Sequence, residues 1–116
     1  MTFYKNEQVE VEYEGGNFII TELDDGFRNF TSNPLRKDEV NMYLEDIGQG
    51  PINLEKPQCE LIGQDGNIFN LMAITSRVLK GCGMKEKADE MIQRITKTSK
   101  SYDESLRILM DYVEII

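Results

Sequence analysis

Cys59-Glu60-Leu61-Ile62-Gly63-Gln64-Asp65-Gly66-Asn67-Ile68-Phe69-Asn70-Leu71-Met72 is the stretch on which the second half of this chain turns: a short apolar run, a glycine-bounded break and the opening of an amphipathic helix. Cys59, Leu61 and Ile62 suit a short strand, and Gly63-Gln64-Asp65-Gly66-Asn67 interrupts it. From there Ile68, Leu71, Met72, Thr75, Val78 and Leu79 fall on one face at helical spacing, with Phe69 beside them. The spacing predicts a helix over 67–80, with Gly81 placed for a left-handed C-terminal cap.

Downstream, Ala88, Met91, Ile92 and Ile95 form the stripe of a second helix, closed by Lys97-Thr98-Ser99-Lys100. Ser101-Tyr102-Asp103-Glu104 has the spacing of a capping box and starts a third, whose stripe reads as Tyr102, Leu106, Leu109, Met110 and Val113. Met72, Met91 and Met110 are read as core fillers of these helices.

Upstream, Val9-Glu10-Val11-Glu12-Tyr13-Glu14 and Asn17 to Glu22 alternate with period two around Gly15-Gly16, which is a β-hairpin. With those glycines as the loop, Tyr13 faces Phe18 and Val11 faces Ile20. Asp24-Asp25-Gly26 reads as a turn, and Phe27 and Phe30 offer apolar anchors in a segment compatible with a third strand. Ser32-Asn33-Pro34 carries helix-start chemistry, and Val40, Tyr43, Leu44 and Ile47 place a short helix over about residues 35–47. Gly48-Gln49-Gly50-Pro51 stops it, and 48–58 reads as a linker.

The resulting expectation is an α+β fold in one domain spanning 1–116. It consists of a hairpin and short helix over 1–47, the 48–58 linker, and a strand plus three-helix bundle over 59–116, with Cys59 to Ile62 joining the hairpin sheet and both halves sharing one core. No apolar run approaches the about 20 residues that cross a bilayer, and the start lacks the layout of a signal peptide, so the sequence reads as cytoplasmic.

Two cysteines and no histidine are too few for a structural zinc site, and Cys59 and Cys82 read as free thiols. Cys82 has no histidine base to make it a conventional nucleophile. The carboxylate pairs Asp24-Asp25, Glu45-Asp46 and Asp103-Glu104 are adjacent in sequence and point apart rather than across a cleft. The expectation is therefore a non-enzymatic protein with no metal and no cofactor.

The net charge of −8 is concentrated in the first half: residues 1–66 carry 5 Lys/Arg against 14 Asp/Glu, and 67–116 carry 8 against 7. Such a field favours a basic protein partner over nucleic acid. Glu10, Glu12 and Glu14 stand in a row on one hairpin face, with no cation opposite them in that hairpin, and are the candidate ridge for that partner. The alternatives are a small-anion or nucleotide site on the loop amides around Gly63, Asp65, Gly66 and Asn67, where helix capping explains the same residues, and nucleic-acid binding by the helical half. The second rests on Arg77, Lys80, Lys85, Lys87, Arg94, Lys97, Lys100 and Arg107, diluted by interleaved acids.

Residues 59–116, above all the Leu-Ile-Gly-Gln-Asp-Gly-Asn-Ile-Phe-Asn-Leu-Met run at 61–72 and the Tyr-Asp-Glu-Ser-Leu through Tyr-Val-Glu-Ile ending, resemble a family of short bacterial and phage proteins of uncharacterised function, many in mobile elements. The resemblance implies a strand-loop-helix unit and leaves the function open; it brings no activity, cofactor or catalytic residue with it. The function expected is a non-enzymatic protein-interaction module, accessory to a phage or conjugative element.

Overall fold

A computed structural model describes residues 1–116 and has an α+β fold that divides into two compact units, Met1–Leu54 and Glu55–Ile116. No helix is long and apolar enough to cross a membrane.

The first unit is a four-stranded antiparallel meander, β1 (Thr2–Lys5), β2 (Val9–Glu14), β3 (Asn17–Asp24) and β4 (Phe27–Thr31), in that spatial order, followed by α1 (Lys37–Asp46). Each hairpin is made by its turn. Gly15 and Gly16 both have positive φ, 57° and 92°, as a two-residue loop between twisted strands requires, and the register places Tyr13 opposite Phe18 and Val11 opposite Ile20. Asp25 at φ 50° and Gly26 at φ 82° repeat the device between β3 and β4. Between β1 and β2, the Asn6 side-chain carbonyl accepts from the amides of Gln8 and Val9 at 2.7 and 2.9 Å, closing an Asx turn. β1 is a strand that the sequence reading passed over; it contributes the buried Phe3, which meets Phe18 edge-on at 5.5 Å.

One face of the sheet is apolar, and Val40 and Leu44 of α1 share its core with Val9, Val11, Phe18 and Ile20. α1 starts later than the sequence indicates. Ser32 does not cap it: the Ser32 hydroxyl accepts from the Ile20 amide at 3.0 Å and Leu35 exchanges two backbone bonds with Phe18, so these residues extend the sheet. The cap is Arg36, with the Glu39 carboxylate accepting from its amide at 3.0 Å, which holds the Glu39 carboxyl below its ordinary range. At the other end Gly48, φ 82°, donates to Glu45 and Gln49 donates to Leu44, a Schellman closure. The segment 48–58 is anchored at both ends: Asn41 clamps the Ile52 backbone through a reciprocal pair of bonds at 2.9 and 3.2 Å, and Pro57 accepts from the Glu114 amide.

The second unit comprises β5 (Gln58–Cys59), α2 (Ile68–Gly81), α3 (Lys85–Thr98), α4 (Tyr102–Tyr112) and β6 (Glu114–Ile115). The expected union of Cys59–Ile62 with the hairpin sheet does not occur. β5 is only two residues long and pairs in parallel with β6, while Leu61 and Ile62 donate to the Ile116 carbonyl. Its ladder is made with β6, inside its own unit.

The three helices pack on one another around Leu79, Met91 and Leu109, all fully buried. Gly81 is the last residue of α2 rather than its left-handed cap. That role falls to Gly83, φ 75°, whose amide meets Lys80 while Met84 reaches back to Leu79. α4 presents Ser105, Ile108, Leu109 and Tyr112 inward, followed by Val113, and leaves Tyr102 and Met110 exposed, so its stripe is turned relative to the one expected. A serine fits the core there because its hydroxyl is consumed locally, against the Ser101 carbonyl at 3.1 Å and the Ser99 hydroxyl at 2.6 Å. Met72 and Met91 are core fillers as their spacing indicates, and Met110 is not.

Candidate functional site

The glutamate ridge forms from the pleat: Glu10, Glu12 and Glu14 alternate with the buried Val9 and Val11 and project from the sheet face opposite α1. β4 changes their electrostatics. Arg28 lies on the same face and places its guanidinium 3.5 Å from Glu12 and 3.9 Å from Glu10, while the Thr2 hydroxyl donates to Glu10 at 3.2 Å. The row is thus two half-buried, cation-facing carboxylates and one exposed one, Glu14, beside the Gly15-Gly16 loop. The expectation concerns the hairpin alone, whose facing residues are Thr21, Ile19 and Asn17; the relieving cation comes from β4, outside it.

β4 itself is the less expected surface. All five of its residues are exposed, and it occupies the outer position of the sheet, paired only with β3. Phe27 and Phe30, read from sequence as apolar anchors, are 77% and 55% exposed. They pair with Asp24 and Glu22, so both rings stand over the acidic end of the sheet. Tyr43 donates to Glu22 at 3.4 Å, and burial together with that carboxylate raises the phenol above its ordinary value. A register shift between Glu22 and Leu23 leaves Asn29 as the extra residue between Phe30 and Arg28, a bulge that twists the strand end.

The loop 63–67 lies in the other unit, and its polar groups are occupied with one another. The Asp65 carboxylate accepts from the Asn67 amide at 3.1 Å, the Asn67 side chain accepts from the Phe69 amide at 2.9 Å, and the Asn70 side chain donates to the Asp65 carbonyl at 3.0 Å. Gly63 supplies the turn at φ 87°, and Gly66 lies close to the Tyr102 hydroxyl. Capping accounts for these residues, and a carboxylate already sits where an anion would be received.

The cations of the helical unit do not form one patch. Lys87 faces Glu90 at 3.8 Å, and Arg94 is held by Asp111 at 3.1 Å and the Tyr112 hydroxyl at 3.2 Å, with its guanidinium over the Tyr112 ring. Arg77 and Lys80 instead border an apolar groove on α2 and α3. Cys59 and Cys82 are free and buried; burial pushes the Cys82 thiol up to about 11 and also raises Cys59, whose sulfur lies 3.9 Å from the Thr75 hydroxyl. Nowhere do three or more Cys, Asp or Glu side chains converge in a way that could hold a metal ion.

The sequence signal for β4 was its Asp-Gly turn together with two phenylalanines in five residues; pattern alone does not reveal that nothing covers them. No protein-family model, curated protein or solved structure matches the chain. What it does is a question for its own surfaces.

Proposed function

We propose that the chain is a protein-interaction module whose acidic first unit takes a basic, extended segment of a partner protein along the outer edge of β4. The reading rests on one observation: an edge strand with two exposed phenylalanines in a unit carrying 4 Lys/Arg against 11 Asp/Glu. Exposed sheet edges are commonly blunted by charge, proline, bulges or a covering element, because their free N–H and C=O groups template another strand; β4 carries one such device, the bulge at Asn29. β4 has Arg28 turned onto the glutamates and presents aromatic rings instead.

A strand added to β4 pairs with the backbone on either side of the Asn29 bulge and packs side chains on Phe27 and Phe30. Burying each ring contributes roughly 1.5 to 3 kcal/mol. Cations flanking those positions meet Asp24 and Asp25 at the turn, and Glu14 extends the acidic field on the far side of the sheet. The glutamate row then serves encounter and orientation, and β4 provides the seat.

The test is capture from native-host lysate with the wild-type chain, a Phe27→Ser/Phe30→Ser variant and a Glu10→Lys/Glu12→Lys/Glu14→Lys variant, followed by hydrogen exchange on the recovered complex. A basic partner that protects the amides of 27–31 and is lost with the phenylalanines supports the reading. A partner retained by the phenylalanine variant, or one that leaves those amides unprotected, overturns it.

A further inference from the structure

We infer a second docking surface in the helical unit: the face of α2 from Phe69 to Lys80 receives an acidic amphipathic helix of a partner protein. Two open grooves, of about 490 and 440 Å³, flank α2 and share Phe69 and Met72 as a common wall. Phe69, Ala73, Arg77 and Lys80 follow one another at helical spacing along that face and are all exposed, Phe69 at 71%. The floor is the half-buried Ile92 of α3 with Met72 and Ser76. At 1.5 Å per residue the stripe runs about 16 Å, three turns of an opposing helix.

Capping explains why the apolar end of this stripe points outward. Asn67 fixes the start of α2, and with Leu71, Met72, Thr75 and Leu79 committed to the bundle, Phe69 is carried to the flank of the buried face, beside Met72 and out into solvent. A large aromatic left there has no partner within its own unit and is the natural anchor for an apolar side chain from outside.

Charge identifies the occupant. Arg77 and Lys80 line one groove, Lys100 lines the other, and no acidic side chain lines either. An opposing helix with apolar anchors at i, i+3 or i+4, and i+7, flanked by glutamate or aspartate, matches both the surface and its sign. A second copy docking on the same face about a two-fold axis would add two more cations to it with no acidic side chain in the lining to meet them, which disfavours it. Nucleic acid would need a broader run of cations than the unit offers, with 9 Lys/Arg against 10 Asp/Glu.

The experiment is a fluorescence-anisotropy titration of the intact chain with a labelled amphipathic helical peptide of about four turns whose leucine stripe is flanked by glutamates, and with a twin carrying lysines instead. Read at the amides of α2, the glutamate peptide binds at least about tenfold tighter than its twin at low salt, and the gap narrows as salt rises. Phe69→Ala weakens it by about tenfold or more, and Arg77→Glu/Lys80→Glu reverses the preference. In the unmodified protein, the peptide shifts the amides of Phe69, Ala73, Arg77 and Ile92, which keeps the test independent of how the variants fold.

Equal affinity of the two peptides at the α2 amides, no saturable binding of the glutamate peptide, or shifts from it confined to other residues overturns the proposal. Displacement of the peptide by a single-stranded DNA oligonucleotide that binds more tightly assigns the face to nucleic acid. A concentration-dependent dimer abolished by Phe69→Ala assigns it to a second copy.

Discussion

Arg28 on β4 reaches across β3 to Glu12 on β2, its guanidinium nitrogen 3.5 Å from the carboxylate. With Glu10 also within 3.9 Å, one cation joins two strands that share no backbone ladder. Its side chain is 66% exposed, which limits the stabilisation to the scale of a surface pair. Arg28→Ala is expected to cost under about 1 kcal/mol, and Arg28→Glu more, because it sets a third carboxylate beside two. Urea unfolding at low and high salt checks this: the difference between the variants narrows as ions screen the cluster.

The facing of α4 gives a sharp contrast between neighbours. Leu109 is fully buried and Met110 is 54% exposed. Leu109→Ala should cost about 2 to 5 kcal/mol through lost burial and the cavity left behind, whereas Met110→Ala should stay within about 0.5 kcal/mol. Equal costs in chemical denaturation would mean that the helix is rotated from the orientation described.

At the start of α2, the Asn67 side chain is the acceptor for the Phe69 amide. Asn67→Ala is expected to destabilise the second unit by about 1 kcal/mol, and Asn67→Gly by only a few tenths. Thermal unfolding of the two variants distinguishes a cap from an anion site, for which phosphate would raise the wild-type midpoint and leave Asn67→Ala unmoved.

Cys82 sets a pH limit. Its folded thiol is pushed up to about 11 by burial, above the ordinary value of 9, so the folded state holds that proton longer than the unfolded chain. This contribution is complete below the unfolded value and is lost as pH rises through the folded one, a window from about 9 to 11 worth on the order of 2 to 3 kcal/mol. The S–H Raman band of Cys82 in a Cys59→Ser background should disappear with a midpoint above 9, and urea midpoints should fall as pH rises past that value. A midpoint at the ordinary thiol value would show that Cys82 is open to solvent.

The β2–β3 hairpin was legible because everything that fixes it is local: alternating Val9, Val11 and Tyr13, then two glycines free to take positive φ. β1 was not, because Thr2-Phe3-Tyr4-Lys5 contains a single residue that ends in the core and gives no alternation to read. The glutamate row was visible as a pattern, but its cation was not, since Arg28 meets Glu12 only after β4 has joined the sheet. The α4 stripe misled because Ser105 is polar by type and buried by position, its hydroxyl satisfied within its own turn. Phe69, read as lying beside a helix stripe, and Phe27, read as an apolar anchor, could not be placed further from sequence: hydrophobicity marks what ought to be covered, and says nothing about whether the covering group belongs to the same chain.

The two units also differ in the order in which they can assemble. In the meander each strand pairs with the next along the chain, so the sheet can zip from any one turn with short loops to close. β5 finds its only ladder in β6, with Gln58 opposite Glu114 more than fifty residues away, and all three helices lie between them. That parallel pair can close only after the bundle has brought its ends together. The protection of the Glu114 and Ile116 amides should therefore be the last event in the folding of the second unit, after the helices have packed.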